Sequence, residues 1–514
     1  MMISSPSCIW RRFDLFRSKS VYRYCAILFA FFLVSCSHGL PELDPYKEAS
    51  PAPGQEWEPT EKEREKAFEL EALPTLPQEL EADAESLTLP QLVDIALTNN
   101  PTTQIAWQDA RAAAAAWAEA RGLYYPQISG TAEYFYAKAG GSSAGSDPFQ
   151  DQYGDIGLSL DYLLLDFGGR EAQIDAARLA LLNANWNQNQ AIQNVLNEVA
   201  VNFYTYIGSK ALVIADEINL EEAQTSLEAA DLRLEAGVGT LPDVLQARAT
   251  LAQVQLNFVE DRGGVEIFRG NLATSVGWPA NTEFDVSDPI EELPIGALAD
   301  NVNDLIKVAM NNRPDLAAVQ ASVREKQAEL REAKSEFFPE ISATGQVLRF
   351  WVRPDGQENE FFTNYLIGVQ LQVPIFQGFT LINAVRQASA ELESAKAALR
   401  LQEQIVIDDV WEAYYMFRTA VQSLEAADVL LQSSLESYDA SLARYRSGVG
   451  DIIELLTAQT TLAEARAEQV QTTTDVFTSY ADLINAMGAE IPSPEEEIII
   501  DSETGGEKDI NDEN

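Results

Sequence analysis

The tightest constraint on this chain is a short stretch that occurs twice. Tyr124-Tyr125-Pro126-Gln127-Ile128-Ser129 returns as Phe337-Phe338-Pro339-Glu340-Ile341-Ser342, with the two prolines about 213 positions apart. Both copies follow a long run of helical character, and both open a segment in which apolar and polar residues alternate. Proline disfavours helical geometry in the residue before it and cannot donate to a helical ladder. Pro126 and Pro339 therefore mark two switches from helix to strand, and the fixed period implies two copies of one structural unit.

After Pro126 the sequence period changes from 3.6 to 2. Ile128, Gly130, Ala132, Tyr134 and Tyr136 share one face, and Gln127, Ser129, Thr131 and Glu133 the other. Ile156, Leu158, Leu160, Tyr162 and Leu164 alternate in the same way with Asp155, Gly157, Ser159 and Asp161. The second unit repeats the pattern from Ile341 to Val347 and from Tyr365 to Ile375. At Arg349-Phe350-Trp351 the alternation is lost, which reads either as the end of a membrane band or as a bulge.

These features place strands of about ten residues at 126–138, 153–166, 339–350 and 363–376, with a flexible loop at Gly140–Gly145. Gly168 and Gly378 mark the returns to helix, and the shorter second interval predicts a shorter second loop. One apolar face, one polar face and terminal aromatics form the pattern of a transmembrane β-strand, although a half-buried soluble sheet alternates in the same way. Four strands cannot enclose a lumen, since the smallest such barrels need about eight, so a membrane barrel would require several chains.

From Gly168-Gly169 to Gly237, and again from Gly378 to Gly448, the chain reads as uninterrupted helix. Each span is rich in Ala, Gln and Glu and too polar for a membrane helix, so coiled-coil-like packing is expected. Phe203, Tyr204 and Tyr206 in one span and Tyr414, Tyr415 and Phe417 in the other read as packing core. Both spans stop at a matched signal, Gly237-Val238-Gly239-Thr240 and Gly448-Val449-Gly450, with basic residues in the last turn. Helix resumes at Leu241-Pro242-Asp243 and at Asp451, so each signal is the tip of an αα-hairpin, and the return helices end at Gly277 and Gly488. Folded structure begins at the capping box Thr88-Leu89-Pro90-Gln91, with helix breaks at Asn99-Asn100-Pro101 and Asn312-Arg313-Pro314.

The N-terminus carries several arginines and then an apolar run from Cys25 to Val34, too short to span a bilayer but suited to a signal peptide. Leu33-Val34-Ser35-Cys36 resembles the lipobox of bacterial lipoproteins, which implies cleavage before Cys36 and acylation of its thiol. The alternative is an ordinary signal peptide with a chance cysteine. Cys8 and Cys25 leave with the signal, and the lone histidine, His38, falls in the tether, so no cysteine or histidine remains for catalysis or metal binding in the folded part. The net charge of −45 argues against nucleic acid as a partner. The chain thus divides into 1–35 signal peptide, 36–86 acidic lipidated tether, 87–277 first repeat, 278–300 linker, 301–490 second repeat and 491–514 acidic tail.

The ordered series of helix, proline-started strand, loop, strand, long helix, glycine tip and return helix, twice over, resembles the TolC family of outer-membrane efflux channels. The resemblance covers about residues 87 to 490. It implies a mainly α chain with a transmembrane β part, assembled as a homotrimer with a twelve-stranded barrel and a long periplasmic α-barrel. It also implies no chemistry and no cofactor. The partners implied are a periplasmic adaptor, an inner-membrane transporter and outer-membrane lipid, with the chain as exit duct for small molecules or proteins. Carried over to this sequence, the adaptor-contacting tips are Gly237 to Thr240 and Gly448 to Gly450, and the periplasmic gate falls on Glu454 with Asp451 one turn before it. The next acidic position of the family pattern holds Thr457, and the arginine linking neighbouring hairpins has no clear match; Arg444 and Arg446 with Asp231, Glu235 or Asp243 are the substitutes considered. A lipid-anchored coiled-coil scaffold of the envelope would explain the helices but not the four strands. An enzyme would need a nucleophile and base, and none stands out.

Overall fold

A computed structural model describes residues 86–139, 149–287, 301–353 and 360–489, all within one compact unit, Leu73–Asn514. Cys36, the acidic tether up to residue 85, the Gly140–Gly145 loop and the acidic tail lie outside the described residues.

Two copies of one unit follow each other. The first runs α1 (Leu89–Asn99), α2 (Pro101–Arg121), β1 (Gln127–Ala139), β2 (Phe149–Leu165), α3 (Gly169–Glu235) and α4 (Leu241–Val276). The second runs α5 (Val302–Asn312), α6 (Pro314–Ser335), β3 (Glu340–Arg353), β4 (Glu360–Gln372), α7 (Thr380–Arg446) and α8 (Ile452–Ala486). Helices α3 and α7 are each 67 residues long, about 100 Å at the α-helical rise. Among the described residues no helix is long and apolar enough to cross a membrane.

Local chemistry sets the boundaries. Thr88 and Gln91 form a reciprocal capping box at α1. Proline at the first position starts α2 and α6, where its missing N–H would be unsatisfied anyway. Asn100 caps α2 through its side chain and also donates to the Ser275 carbonyl at 2.8 Å, fixing α1 and α2 on the end of α4.

The strands form one antiparallel sheet in the order β1-β2-β3-β4. They are 13, 17, 14 and 13 residues long; β2 begins at Phe149 rather than 153, β3 runs on to Arg353 rather than 350, and β4 spans Glu360–Gln372 rather than 363–376. The bulge reading of Arg349-Phe350-Trp351 fails, because β3 runs through these residues in unbroken register with both neighbours. The register shift lies instead between Leu163 and Leu165 on β2. Residues 140–148 and 354–359 separate the strands of each pair, so the second connection is the shorter.

Two cores clamp the middle of the helices. In the first repeat Leu92, Ile95 and Ala96 of α1 pack with Val195, Val199, Phe203 and Tyr206 of α3 and Leu272 and Val276 of α4. Trp278, Phe284 and Val286, in the stretch read as linker, complete this core, and Leu87 bridges to Val286. In the second repeat Leu305, Ala309 and Leu316 pack with Val406, Val410, Tyr414, Phe417, Val476, Tyr480 and Leu483. Tyr415, by contrast, is exposed. A third core near the tips joins both hairpins through Ala230, Val244, Tyr438, Tyr445, Leu455 and Leu462.

The repeats meet through β2 against β3, α3 against α6 and α3 against α8. The symmetry-equivalent surfaces, β4 with β1 and α7 with α2 and α4, make no comparable packing within the chain. Apolar side chains are exposed there: Ile405, Trp411 and Met416 on α7, Trp107 on α2, and Leu256 and Val259 on α4.

Candidate functional site

The candidate site residues fall on the sheet, on its junctions with the helices and on the two hairpin tips. In the sheet, the register places Ile128, Leu160, Gly345 and Ile367 in one row of one face, with Gly130, Leu158, Val347 and Tyr365 in the next. The next row is Ala132, Ile156, Arg349 and Thr363, and the row beyond it holds Tyr134, Gly154, Trp351 and Phe361. From Leu371 to Phe361 this face extends roughly 33 Å along the strand, which at the usual tilt matches an apolar band about 25 Å tall. Aromatics at the outer end, with the Arg349 guanidinium 5.4 Å from the Phe361 ring centroid, suit a membrane interface. The opposite face carries Gln127, Asp161 and Thr344 in one row and Ser129, Ser159 and Gln346 in the next.

The crossings between helix and strand are built from more than proline and glycine. Pro126 lies between a single 3₁₀ turn, Gly122–Tyr124, and β1; Pro339 immediately precedes β3. On the return, Gly168 and Gly378 have positive φ, and so do Phe167 and Phe379, an unfavourable conformation for a bulky residue. Phe167 stacks on Phe338 at 5.7 Å, and Phe379 packs edge-on against Phe376 at 5.5 Å, so each left-handed residue is held by a ring contact. Arg170 donates to the Leu163 carbonyl at 2.8 Å, at the register shift, and stacks over Tyr124. Nothing in the local sequence marks the partners of Arg170 and Phe167, Tyr124 and Phe338, which lie on other segments, and nothing in it marks a positive φ at the bulky Phe379.

At the tips, the N–H groups of Val238 and Gly239 donate to the Arg233 carbonyl, and those of Val449 and Gly450 donate to the Arg444 carbonyl. Gly237 and Gly448 have φ of +74° and +85°. A Cβ on Gly239 would stand 2.9 Å from the Leu234 nitrogen, and one on Gly450 3.0 Å from that of Tyr445, so the second glycine of each tip is set by close approach to its own helix end. Thr240 and Asp243 form a capping box at α4. Val238, Leu241, Val449 and Ile453 are exposed at the ends of the hairpins.

The structure gives the two acidic tip residues local partners. Asp451 caps α8, its Oδ1 accepting from the Glu454 N–H at 2.8 Å. The Glu454 carboxylate pairs with Arg444 at 2.9 Å. Arg444 thus bonds to neither Asp231, Glu235 nor Asp243. The link between hairpins is Arg233, whose Nη1 donates to the Tyr445 carbonyl at 2.7 Å while its guanidinium lies 4.5 Å from the Tyr445 ring centroid. Farther up, Arg466 of α8 bonds Glu222 of α3 bidentately at 2.7 and 2.8 Å and Asn219 at 2.7 Å. Asp216, buried one turn from Asn219, has its pKa pushed up to about 6 by burial and by the facing Asp261.

The model of the outer membrane efflux protein family matches residues 92–277 and 305–489, one match on each repeat. The chain belongs to the outer membrane efflux protein family. Among its relatives is Protein CyaE of Bordetella pertussis, 26% identical over 435 residues, covering 82% of this chain and 89% of that protein. Another is the alkaline protease secretion protein AprF of Pseudomonas aeruginosa, 25% identical over 338 residues, covering 63% of this chain and 68% of the relative. The solvent efflux pump outer membrane protein SrpC of Pseudomonas putida is 24% identical over 411 residues, covering 78% and 85%. Of solved structures, the outer-membrane channel OprN is similar with TM-score 0.68 at 20% identity, over 78% of this chain and 90% of that one. VceC of Vibrio cholerae gives the same TM-score at 18% identity, over 78% and 96%. An outer membrane efflux protein with this fold carries its strands in the outer membrane and its helices in the periplasm.

Proposed function

We propose that this chain is the outer-membrane exit duct of a tripartite efflux or type I secretion system and works as a homotrimer. The observation that carries the reading is the set of contacts made once and left open once. Repeat one covers repeat two through β2–β3, α3–α6 and α3–α8, while β4, β1, α7, α2 and α4 keep the complementary surfaces unfilled. Three copies in head-to-tail order satisfy all of them, closing four strands per chain into a twelve-stranded barrel that hides every strand edge. The apolar sheet face then meets lipid and the polar face lines the lumen. A lipid-anchored coiled-coil scaffold would leave the sheet without a use. The full chain in mild detergent should run as a heat-modifiable trimer with strand as well as helix signal and conduct ions in planar bilayers. A monomer without conductance would refute the duct.

At the periplasmic end, the exposed Val238 and Val449 and the adjoining glycines suit close approach of an adaptor helix, and a photo-crosslinker at Val449 should capture one. The resting closure of the tips rests on Arg233–Tyr445 and Arg444–Glu454. Three copies of Asp451 and Glu454 near one axis would favour cations. An unchanged ion preference in the Glu454→Gln, Asp451→Asn double variant would count against that role. Cys36 is proposed as the lipidated N-terminus, checked by mass spectrometry of the mature chain.

A further inference from the structure

We infer that the outer end of the lumen face is a binding subsite for apolar organic cations; the inference rests on the duct reading above. The polar face of the sheet does not stay polar. In one row the register places Glu133, Asp155, Phe350 and Phe362 side by side across all four strands. Phe350 and Phe362 stack with ring centroids 5.0 Å apart. In the next row outward Phe135 and Tyr153 stack, also at 5.0 Å. Phe135, Tyr153 and Phe362 are exposed, at 43%, 40% and 44%.

Aromatics on the lipid face at this level have a membrane interface to occupy, but those on the lumen face have none. Glu133 stands directly opposite Asp155, a pairing of like charges that weakens a strand pair rather than strengthening it. The same face adds Asp161, Glu340 and Glu360, and among its described residues there is no lysine or arginine. Both arginines of β3, Arg349 and Arg353, fall on the other face. Neighbouring strands lie about 4.8 Å apart and successive rows about 7 Å apart. A cation could therefore rest on a ring face within the roughly 6 Å that cation–π attraction requires, with carboxylates in the same row. A small inorganic cation would use the carboxylates alone, and an anion or neutral hydrocarbon would use neither together. The match is to a solute carrying delocalised positive charge on an apolar body.

The test uses the full chain in planar bilayers with tetraphenylphosphonium as probe and tetraphenylborate, its anionic counterpart in size and shape, as control. Tetraphenylphosphonium should block the current and tetraphenylborate should not. Glu133→Gln with Asp155→Asn should raise the blocking concentration at least tenfold, and Phe362→Leu should raise it several-fold, each read against the variant's own open current. Block of equal strength in all three proteins, or block lost only in Glu454→Gln, would overturn the inference while leaving the duct standing. Absence of any current from the unaltered protein would refute the duct itself. Equilibrium dialysis of tetraphenylphosphonium against the same detergent-solubilised proteins then decides the subsite separately: equal binding by all of them overturns it.

Discussion

Removing the Arg233 side chain should open the periplasmic end. Arg233 joins the tip of α3 to the last turn of α7 by a 2.7 Å bond to the Tyr445 carbonyl and by a 4.5 Å approach to its ring. A hydrogen bond from a charged donor contributes ~1.5–3 kcal/mol. A half-exposed cation–π contact adds ~0.5–1 kcal/mol. Arg233 is partly solvated, so the lower end applies, and about 2 kcal/mol of closed-state stability should go in Arg233→Ala. At ~1.4 kcal/mol per tenfold, that raises the open-to-closed ratio roughly 30-fold. The Arg444–Glu454 pair is the internal comparison. Its side chains are 57% and 38% exposed, and exposed pairs contribute at most ~1 kcal/mol, so Arg444→Ala should change the ratio no more than about fivefold. Single-channel recording gives open probability for both variants, and hydrogen exchange at 236–240 and 447–451 gives tip opening independently. If Arg444→Ala opens the channel as much as Arg233→Ala, the assignment of the inter-hairpin link to Arg233 is wrong.

Gly208→Val should prevent α3 and α8 from closing on each other, because a Cβ there would clash with the Thr474 side chain; loss of ~1–3 kcal/mol is expected, seen as a lower thermal unfolding temperature. Glu222→Gln leaves Arg466, whose side chain is 13% exposed, without its charged partner, and should cost about 3 kcal/mol, with Glu222→Gln, Arg466→Met partly restored in the same assay. Asp216 has a folded-state pKa of about 6, above its unfolded value. Its contribution is thus complete below about pH 4 and is lost as pH rises through about 6. Asp216→Asn should therefore flatten the stability profile between those limits and gain at most ~3 kcal/mol at pH 7.5, measured by thermal unfolding across pH.

What was legible in the sequence was whatever the backbone decides locally. Pro126, Pro339, the capping box at Thr88 and the glycine tips each act within a few residues, and the structure places an element boundary at or beside each of them. The sheet's sidedness was legible for a similar reason, since alternation is a property of the strand itself. Arg233 and Tyr445 are 212 positions apart, and nothing near either residue announces the other. The burial of Trp278, Phe284 and Val286 was hidden because the chain there is irregular and shows neither period. Arg349-Phe350-Trp351 looked like a failing strand because alternation was judged on polarity alone. Phe350 keeps its place on the polar face and is apolar there because it stacks on Phe362.

The duplication also explains why so acidic a chain can build so long a duct. Helix α3 has no single apolar stripe, because its partners change along its length: it packs in turn on α2 and α6, on α1 and α4, and on α4 and α8. Such a helix is not stable alone, and its order comes from being flanked on both sides. Of the two long helices, α3 is flanked by both repeats within one chain, while α7 has its own repeat on one side and exposed Trp411, Ile405 and Met416 on the other. In the proposed trimer, duplication followed by cyclic closure gives α7 the surroundings α3 already has. The same operation joins β4 to β1 as β2 joins β3, so one geometric requirement governs both the membrane barrel and the helical conduit beneath it. A change that blocks α7 from meeting α4 of the next copy, such as Trp411→Glu, should therefore lose barrel closure as well, although Trp411 lies in the helical half of the molecule.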